Sequence, residues 1–365
     1  MTHIIRPENF YFATFSGQLL GTTAGVTFLS SSAVDGNFIL SGSASNAYGG
    51  TTTVQGNLLN GGSVTALLAK TGGAVAIPAN LILNFGGEVI LIEDEQIADA
   101  STVSVNFGGN FDVNGQLETI TTLNGNGSVQ LDDGSVGGTL VARVGDFDGV
   151  IADGGLNGRL VKPGPGTLFL SGASTYTGGT RVEGGILVAD NLSGSATGTG
   201  LVTVRPGAIL SGGNAACTAG FIAGTVFIED MGHLEPGLSA GTLTLQNHLT
   251  LSPFSQLDFE LGTPGVQGGA NNDLVKVFMD LTLDGELNVS PFGFGGEGDY
   301  TLFTYGKRLF NNGLEIGTVP AGYDPSQFSV DVSNPNEVIL RVVPEPQTAA
   351  LLGIGLASLL RRRRQ

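Results

Sequence analysis

Two runs of aspartate are the first residues in this sequence whose type and spacing could do chemistry, because neighbouring carboxylates can hold a calcium ion. They are Asp132-Asp133-Gly134 and Asp146-Phe147-Asp148-Gly149, with Asp153 nearby. Neither run completes an EF-hand loop or the glycine-rich nonapeptide repeat of calcium-binding β-rolls. Asp-Gly is also a common turn pair. We therefore predict turns here and no metal site, with calcium binding left open.

Nucleophilic and acid–base chemistry has few candidates. Cys217 is the single cysteine, which excludes an internal disulfide, and its neighbours in the sequence offer no base. His233 and His248 belong to no motif that supplies a partner. A glycan lyase would need clustered carboxylates with Lys or Arg on one face of neighbouring strands. We predict no catalytic residue, no cofactor and no enzymatic activity, with a glycan lyase or hydrolase as the enzymatic alternative.

Three arginines lie at a nearly regular spacing. Arg159, Arg181 and Arg205 are 22 and 24 residues apart, close to the roughly 20 to 25 residues of one coil of a strand solenoid. At that spacing they could line up along one face. Like charges stacked on neighbouring strands are unfavourable unless they are neutralised. The series is therefore either coincidental or a weak contact for an anionic glycan.

The element that must position these side chains is a short strand repeat. Its clearest copies are residues 38–59 and 160–191, which share the core Tyr-x-Gly-x-Thr-x-Val, beginning at Tyr48 and at Tyr176. Alternating Thr and Val after a glycine turn suits a β-branched strand with one buried face. One short strand cannot bury that face alone, so copies must stack. The pattern predicts a solenoid.

The second copy resembles the autotransporter-associated β-strand repeat, also called the passenger-associated transport repeat. That family's pattern is Lys-x-Gly-x-Gly-x-Leu-x-Leu-x-Gly, followed by Tyr-x-Gly-x-Thr-x-Val-x-x-Gly-x-Leu. The chain fills the pattern at Lys162, Gly164, Gly166, Leu168, Leu170, Gly172, Tyr176, Gly178, Thr180, Val182, Gly185 and Leu187. The resemblance implies a fold, and it implies no activity.

Composition supports the same class. The chain has 60 glycines, no tryptophan and few helix-forming runs, which is typical of an all-β protein rich in tight turns. We predict an all-β, right-handed parallel β-helix (β-solenoid) with a strand-rich C-terminal cap and a short C-terminal hydrophobic helix. The predicted division is 1–231 for the solenoid with its repeats, 232–342 for the C-terminal solenoid or cap region, and 343–365 for a terminal signal. The net charge of −17 predicts no nucleic-acid partner.

The terminal signal combines a motif, an apolar run and a basic end. In order, these are Pro344, Glu345 and Pro346, then residues 348–360, then Arg361, Arg362, Arg363 and Arg364. As a helix, the apolar run would measure roughly 20 Å, short of the ~30 Å hydrocarbon core, although arginines can snorkel and a bilayer can thin. The arginines would stay on the cytoplasmic side and place the solenoid outside.

This tail resembles the PEP-CTERM protein-sorting signal. The resemblance implies that an exosortase, a transpeptidase-like membrane enzyme, recognises Pro344, Glu345 and Pro346 and processes the chain near them. An inner-membrane-anchored precursor would then be released to the cell surface or extracellular matrix. Proteins with this signal also carry an N-terminal signal peptide, whereas Met1–Gly17 shows no apolar run with a small-residue cleavage site. We therefore expect the natural start to lie upstream.

Three functions fit these observations. The first is a non-enzymatic exported surface or extracellular-matrix structural protein. The second is an adhesin or exopolysaccharide-binding rod, and the third is the glycan-cleaving enzyme. The expected partners are an exosortase, exopolysaccharide or other surface proteins, and the membrane, through residues 348–360 before processing.

Overall fold

A computed structural model of the chain describes residues 3–5, 12–30, 35–59, 61–213 and 219–344. In this part of the chain the backbone forms 36 β-strands and one short 3₁₀-helix, Pro325–Gln327, with no α-helix. All pairings between these strands are parallel except the two that involve the last strand. The prediction of an all-β parallel solenoid is therefore confirmed. The helix predicted over residues 348–360 lies outside the described residues.

The N-terminal coils carry strands on two or three sides. They are β1 (His3–Ile5), β2 (Phe12–Phe15), β3 (Leu20–Gly21), β4 (Val26–Leu29), β5 (Gly36–Gly42), β6 (Ala47–Tyr48), β7 (Thr52–Gln55), β8 (Val64–Lys70), β9 (Leu81–Leu83), β10 (Gly87–Leu91), β11 (Thr102–Val105), β12 (Asn110–Asp112), β13 (Leu117–Gly125), β14 (Ser128–Gln130), β15 (Thr139–Phe147) and β16 (Val150–Ala152). Seven of them form one parallel sheet in the order β16-β14-β12-β10-β8-β5-β2.

The middle coils add two strands each to the largest sheet, which contains 21 strands. These coils comprise β17 (Arg159–Lys162), β18 (Thr167–Leu170), β19 (Thr180–Val182), β20 (Gly185–Ala189), β21 (Val202–Val204), β22 (Ala208–Gly212), β23 (Ala219–Ile222), β24 (Val226–Ile228), β25 (His233–Glu235), β26 (Thr242–Leu245), β27 (Leu249–Leu251) and β28 (Gln256–Leu261).

The C-terminal coils end in an antiparallel unit. Their strands are β29 (Leu274–Val277), β30 (Leu281–Leu283), β31 (Glu286–Pro291), β32 (Gly298–Tyr305), β33 (Leu309–Asn311), β34 (Glu315–Ile316), β35 (Phe328–Asp331) and β36 (Glu337–Val342). The last strand, β36, pairs antiparallel with both β32 and β35. This strand-rich end agrees with the predicted cap, and the division of the chain at residue 231 stays a prediction.

A ladder of leucines holds the stacked coils together. The register places Leu168, Leu187, Leu210, Leu234, Leu257 and Leu287 directly above one another on successive coils. All six are fully buried, and burying each such side chain contributes about 1.5–3 kcal/mol. The ladder steps are 19 to 30 residues long, because the turns absorb the extra residues while the strand register stays fixed.

Candidate functional site

The two repeat copies share one buried hydrogen bond. The Tyr176 hydroxyl lies 2.5 Å from Oγ1 of Thr180, and the Tyr48 hydroxyl lies 2.6 Å from Oγ1 of Thr52. Burial raises the pKa of Tyr176 above its usual value and that of Tyr48 to about 12, so both hydroxyls stay protonated at neutral pH. The Tyr and Thr of the repeat are therefore paired with each other inside the solenoid and offer no free reactive group.

The lysine that opens the second copy is also structural. Nζ of Lys162 donates to the carbonyl oxygens of Gly164 and Gly184, each at 2.9 Å, and more weakly to that of Pro163 at 3.3 Å. Burial, and then the nearby charge of Arg143, lowers the pKa of Lys162 to about 8. The ammonium group thus fastens the glycine turn of one coil to the turn of the next.

The aspartates singled out in the sequence do not converge. Asp153 is buried, and its carboxylate accepts hydrogen bonds from the backbone N–H groups of Gly155, Gly158 and Thr177 and from the Thr177 hydroxyl, all within 2.8 Å. Burial alone would raise the pKa of Asp153, but these hydrogen bonds outweigh it and hold the pKa below its usual value. Asp153 therefore stabilises its own turn and joins it to Thr177 on the next coil.

The other aspartates are not gathered at one site, and Asp146 lies within the strand β15. The Asp133 carboxylate accepts hydrogen bonds from the backbone of Ser135 and Val136, both at 2.7 Å, and Asp146 and Asp148 are exposed. Across the described ranges, no group of three or more His, Cys, Asp or Glu residues is placed to hold a metal ion. The predicted turns agree with the local contacts of Asp133 and Asp153, whereas Asp146 lies in a strand.

Two buried carboxylates were missed by the sequence reasoning. Glu118 accepts hydrogen bonds from the backbone N–H groups of Gln96 and Ile97 on the preceding coil, and burial raises its pKa to about 9. Asp273 likewise bridges two segments, and burial raises its pKa to about 8. Each lies in an ordinary strand pattern or turn, so only the identity of the coil stacked beside it could have revealed its role.

Both histidines in the described C-terminal half have acidic partners on the next coil. Nδ1 of His233 lies 2.7 Å from Oδ2 of Asp258, and the hydrogen bond to Asp258 raises the pKa of the His233 imidazole. Nδ1 of His248 lies 3.4 Å from Oδ2 of Asp280. These contacts are made between coils, a kind of partner that a local sequence motif does not show. Cys217 lies outside the described residues.

The three regularly spaced arginines share the outward face but are not stacked. The register places Val161, Arg181 and Thr203 above one another, so Arg159 lies two residues before this column and Arg205 two residues after it. Arg181 contacts Glu183, and Nη1 of Arg205 lies 3.2 Å from Oε1 of Glu229. The three arginines are exposed on one face, as their spacing allowed, but they are not vertically aligned, because these two coils contain 20 and 22 residues rather than 22 and 24.

The sorting residues follow β36, the last strand in the described part of the chain. β36 ends at Val342, and the backbone N–H of Val343 donates to the carbonyl of Gln327 at 2.9 Å. Nε2 of Gln327 in turn donates to the carbonyl of Val343 at 3.2 Å. Pro344 follows and is exposed, while Glu345, Pro346 and Arg361–Arg364 lie outside the described residues. No helix in the described ranges is long and apolar enough to cross a membrane.

Comparisons with known proteins match both segments. The passenger-associated-transport-repeat family model matches residues 35–56 and 160–189, and the PEP-CTERM protein-sorting motif model matches residues 342–364. Over 102 residues, the chain is 47% identical to "Adhesin BmaC autotransporter" of Brucella suis biovar 1 (strain 1330), an alignment that covers 27% of this chain and 3% of that relative. The chain thus carries two passenger-associated transport repeats within a parallel β-solenoid and ends in a PEP-CTERM sorting motif, features that indicate an exported, cell-surface protein.

Proposed function

We propose that this chain is a non-enzymatic structural protein of the cell surface or extracellular matrix, and that an exosortase processes it near Pro344, Glu345 and Pro346. The observation that carries the proposal is the sorting motif matched at residues 342–364, which begins at the last residue of β36. Residues 348–360 hold the precursor in the inner membrane, and Arg361–Arg364 stay on the cytoplasmic side.

The geometry around Val343 supports access to the motif. Gln327 is 5% exposed, and its side chain accepts a hydrogen bond from the backbone of Asp324 at 2.8 Å while donating to Val343. These two hydrogen bonds hold the backbone at Val343, the residue after β36. The pairing of β36 ends at Val342, so Pro344, the first residue of the motif, lies outside the paired strands and is exposed.

The use of the charged side chains supports a structural role. Asp153, Lys162 and Glu118 bond to backbone groups of their own or neighbouring coils, and His233 bonds to Asp258 on the next coil. Groups engaged in this way hold the coils together. A solenoid of this kind lengthens without a growing core, which suits a protein that extends from a surface.

The test follows the tail in a host that contains an exosortase, with the chain fused behind a secretory signal peptide. We expect intact mass spectrometry to show loss of the residues beyond the Pro344-Glu345-Pro346 motif. The double variant Pro344→Ala/Pro346→Ala should retain the tail. Pro253→Ala, an exposed proline on a turn of the solenoid, is the matched control and should be processed normally. An intact tail in the unaltered protein would contradict the proposal.

A second candidate, an adhesin, is favoured by the match to the Brucella protein named as an adhesin. That match covers 3% of the relative, so it supports a shared passenger surface rather than a shared ligand. We expect cells that display this chain to adhere to a surface coated with exopolysaccharide more strongly than cells that display a control solenoid. Equal adherence would contradict the adhesin candidate and leave the structural role as the only proposed function.

A further inference from the structure

The chain carries its positive charge unevenly. Residues 154–228 contain four Lys or Arg residues (Arg159, Lys162, Arg181 and Arg205) and two acidic residues (Glu183 and Asp190), in a chain whose net charge is −17. At physiological ionic strength charges more than about 8 Å apart are largely screened. Asp153 and Glu229 adjoin the two ends of this range and bond to Thr177 and Arg205, so these coils are close to neutral. An anion therefore meets less repulsion there than the charge of the whole chain suggests.

Two of these arginines stand beside each other on the outward face. Arg159 and Arg181 are both exposed, on β17 and β19, which are neighbouring parallel strands. Because Arg181 pairs with Val161, the two arginines are diagonal neighbours, offset by two residues (roughly 6.6 Å) on strands about 4.8 Å apart. This separation avoids the repulsion of directly stacked charges. It also leaves both guanidinium groups within reach of one anionic group between them.

A groove lies between the two arginines. It encloses about 170 Å³ and is lined by Arg159 and Arg181 together with Leu160, Val161, Gly178, Gly179, Thr180, Leu201 and Thr203. A side chain cannot fill it at Gly178, because a Cβ there would lie 2.1 Å from the carbonyl oxygen of Asn157. The exposed side chain of Leu201 gives the groove an apolar wall.

The arginines are available to a ligand. Within the described ranges Arg159 forms no ion pair, and the partner of Arg181 is Glu183, in a contact whose two side chains are 56% and 31% exposed. Exposed ion pairs of this kind contribute little, so a carboxylate can take the place of Glu183 at small cost. Arginine also presents a planar fork of donors that matches a carboxylate.

We propose that this groove, over β17, β19 and β21, binds a carboxylate-bearing sugar residue of an anionic polysaccharide, with Arg159 and Arg181 on its carboxylate and Thr203 beside its hydroxyl groups. The volume is below the roughly 300–1,000 Å³ of small-molecule pockets, so it suits one unit of a polymer. A larger depression of about 480 Å³ near Phe278 is lined by Glu337 and by no Lys or Arg, and does not suit an anion.

The flanking coils favour a sugar polymer over a nucleic acid. On the preceding coil Thr139 and Val141 lie beside Arg159 and Val161, and on the following coil Phe227 lies beside Thr203, so no row of positive charge continues along the stacked coils. A phosphate backbone carries its charges continuously, whereas a polyuronate can cross the coils and present one carboxylate to the groove. The proposal goes beyond the surface role and does not depend on processing by an exosortase.

The test is a titration of the full chain with polygalacturonate and with alginate, two polyuronates, at 0.15 M NaCl in neutral detergent. Arg361→Gln, Arg362→Gln, Arg363→Gln and Arg364→Gln are made in every protein, because the terminal arginines attract anions on their own. We expect calorimetric binding to at least one polyuronate that weakens at least tenfold in Arg159→Gln/Arg181→Gln. Arg308→Gln/Arg341→Gln, which removes two exposed arginines elsewhere, should stay within twofold.

Three results would overturn the proposal. They are no binding of either polyuronate, equal binding of fully methyl-esterified polygalacturonate, and an equal loss in the Arg308→Gln/Arg341→Gln control. Single-stranded DNA that binds as tightly as the polyuronate would overturn the assignment to a sugar. The arginines changed in the two double variants are all exposed: Arg159, Arg181, Arg308 and Arg341. Thermal unfolding of both double variants should therefore match that of the parent protein that carries only the Arg361–Arg364 substitutions, which separates loss of binding from loss of fold.

Discussion

The two copies of the repeat make the same inward contacts and differ on the outward face. Tyr48 with Thr52 and Tyr176 with Thr180 form equivalent buried hydrogen bonds. On the outward side, Thr53 occupies the position that Arg181 occupies in the second copy. The repeat therefore specifies the scaffold through its inward residues.

The register explains why the outward position is free to vary. Thr53 lies in a column between Thr27 and Ile82, and Arg181 lies in a column between Val161 and Thr203. All of these side chains point away from the core, so none has to fit a fixed cavity. A surface function can be added to one copy without a change in the other.

The largest expected effect tests whether both copies need the same close approach of coils. A Cβ at Gly50 would lie 2.3 Å from the backbone nitrogen of Gly25, and one at Gly178 would lie 2.1 Å from the carbonyl oxygen of Asn157. We expect Gly50→Ala and Gly178→Ala each to lower the free energy of unfolding of the adjoining coils by about 3 kcal/mol. Hydrogen exchange in those coils measures this loss. Gly17→Ala, where nothing lies within 4 Å, is the control. A large loss of stability in one copy alone would show that the two copies do not depend on the same close approach of coils.

The next effect concerns pH and the coils between the copies. Burial raises the pKa of Glu118 to about 9 from an ordinary value of 4.5, so the folded state holds more protons than the unfolded state between these pH values. The free energy of unfolding therefore falls as pH rises from about 4.5 to about 9. We expect the melting temperature to drop by several degrees from pH 5 to pH 8.

The control for this prediction is Glu118→Gln, which removes the titrating group. In this variant the melting temperature should change less with pH. Some pH dependence should remain, because burial also raises the pKa values of Asp112, to about 6, and of Asp273, to about 8. A slope that is unchanged in Glu118→Gln would show that Glu118 is already ionised in the folded state.

A smaller effect measures the shared hydrogen bond. In the cycle of Tyr176→Phe with Thr180→Val, we expect a coupling energy of about 1 kcal/mol, typical of a hydrogen bond between neutral groups. The cycle of Tyr48→Phe with Thr52→Val should give the same value within about 0.5 kcal/mol. Chemical denaturation of the single and double variants provides both numbers. Coupling in one copy alone would mean that the two bonds are not equivalent.

The smallest effect on stability is expected for exchange of the outward residues. Thr53→Arg and Arg181→Thr should each change the free energy of unfolding by less than about 0.5 kcal/mol, because both positions face solvent. Only Arg181→Thr should weaken binding to polyuronate. Thr53→Arg should not create polyuronate binding in the first copy, because that copy has no counterpart of Arg159 on the neighbouring strand. A gain of binding in Thr53→Arg would show that one outward arginine is sufficient.

Much of the scaffold could be predicted from the sequence. The Tyr-x-Gly-x-Thr-x-Val core predicted a strand with one buried face, and Thr180 and Val182 are indeed inward on β19. Alternating apolar residues such as Leu168 and Leu170 likewise gave the inward face of β18. These predictions were correct because they depend only on the two-residue period of a strand.

Contacts between coils could not be predicted in the same way. The spacing of Arg159, Arg181 and Arg205 differs by two residues from the actual coil lengths, because turns of different length absorb residues between aligned strands. The partnership of His233 with Asp258, 25 residues away, depends on the same lengths. A prediction of such contacts needs the register, which only the folded stack defines.

The most direct test of the account is the location of the protein in an isogenic pair of strains with and without an exosortase. We predict that the solenoid, followed with an antibody, reaches the outer surface or the medium in the strain with the enzyme and stays with the inner membrane in the strain without it. The same distribution in both strains would contradict an export route that ends at Pro344, Glu345 and Pro346.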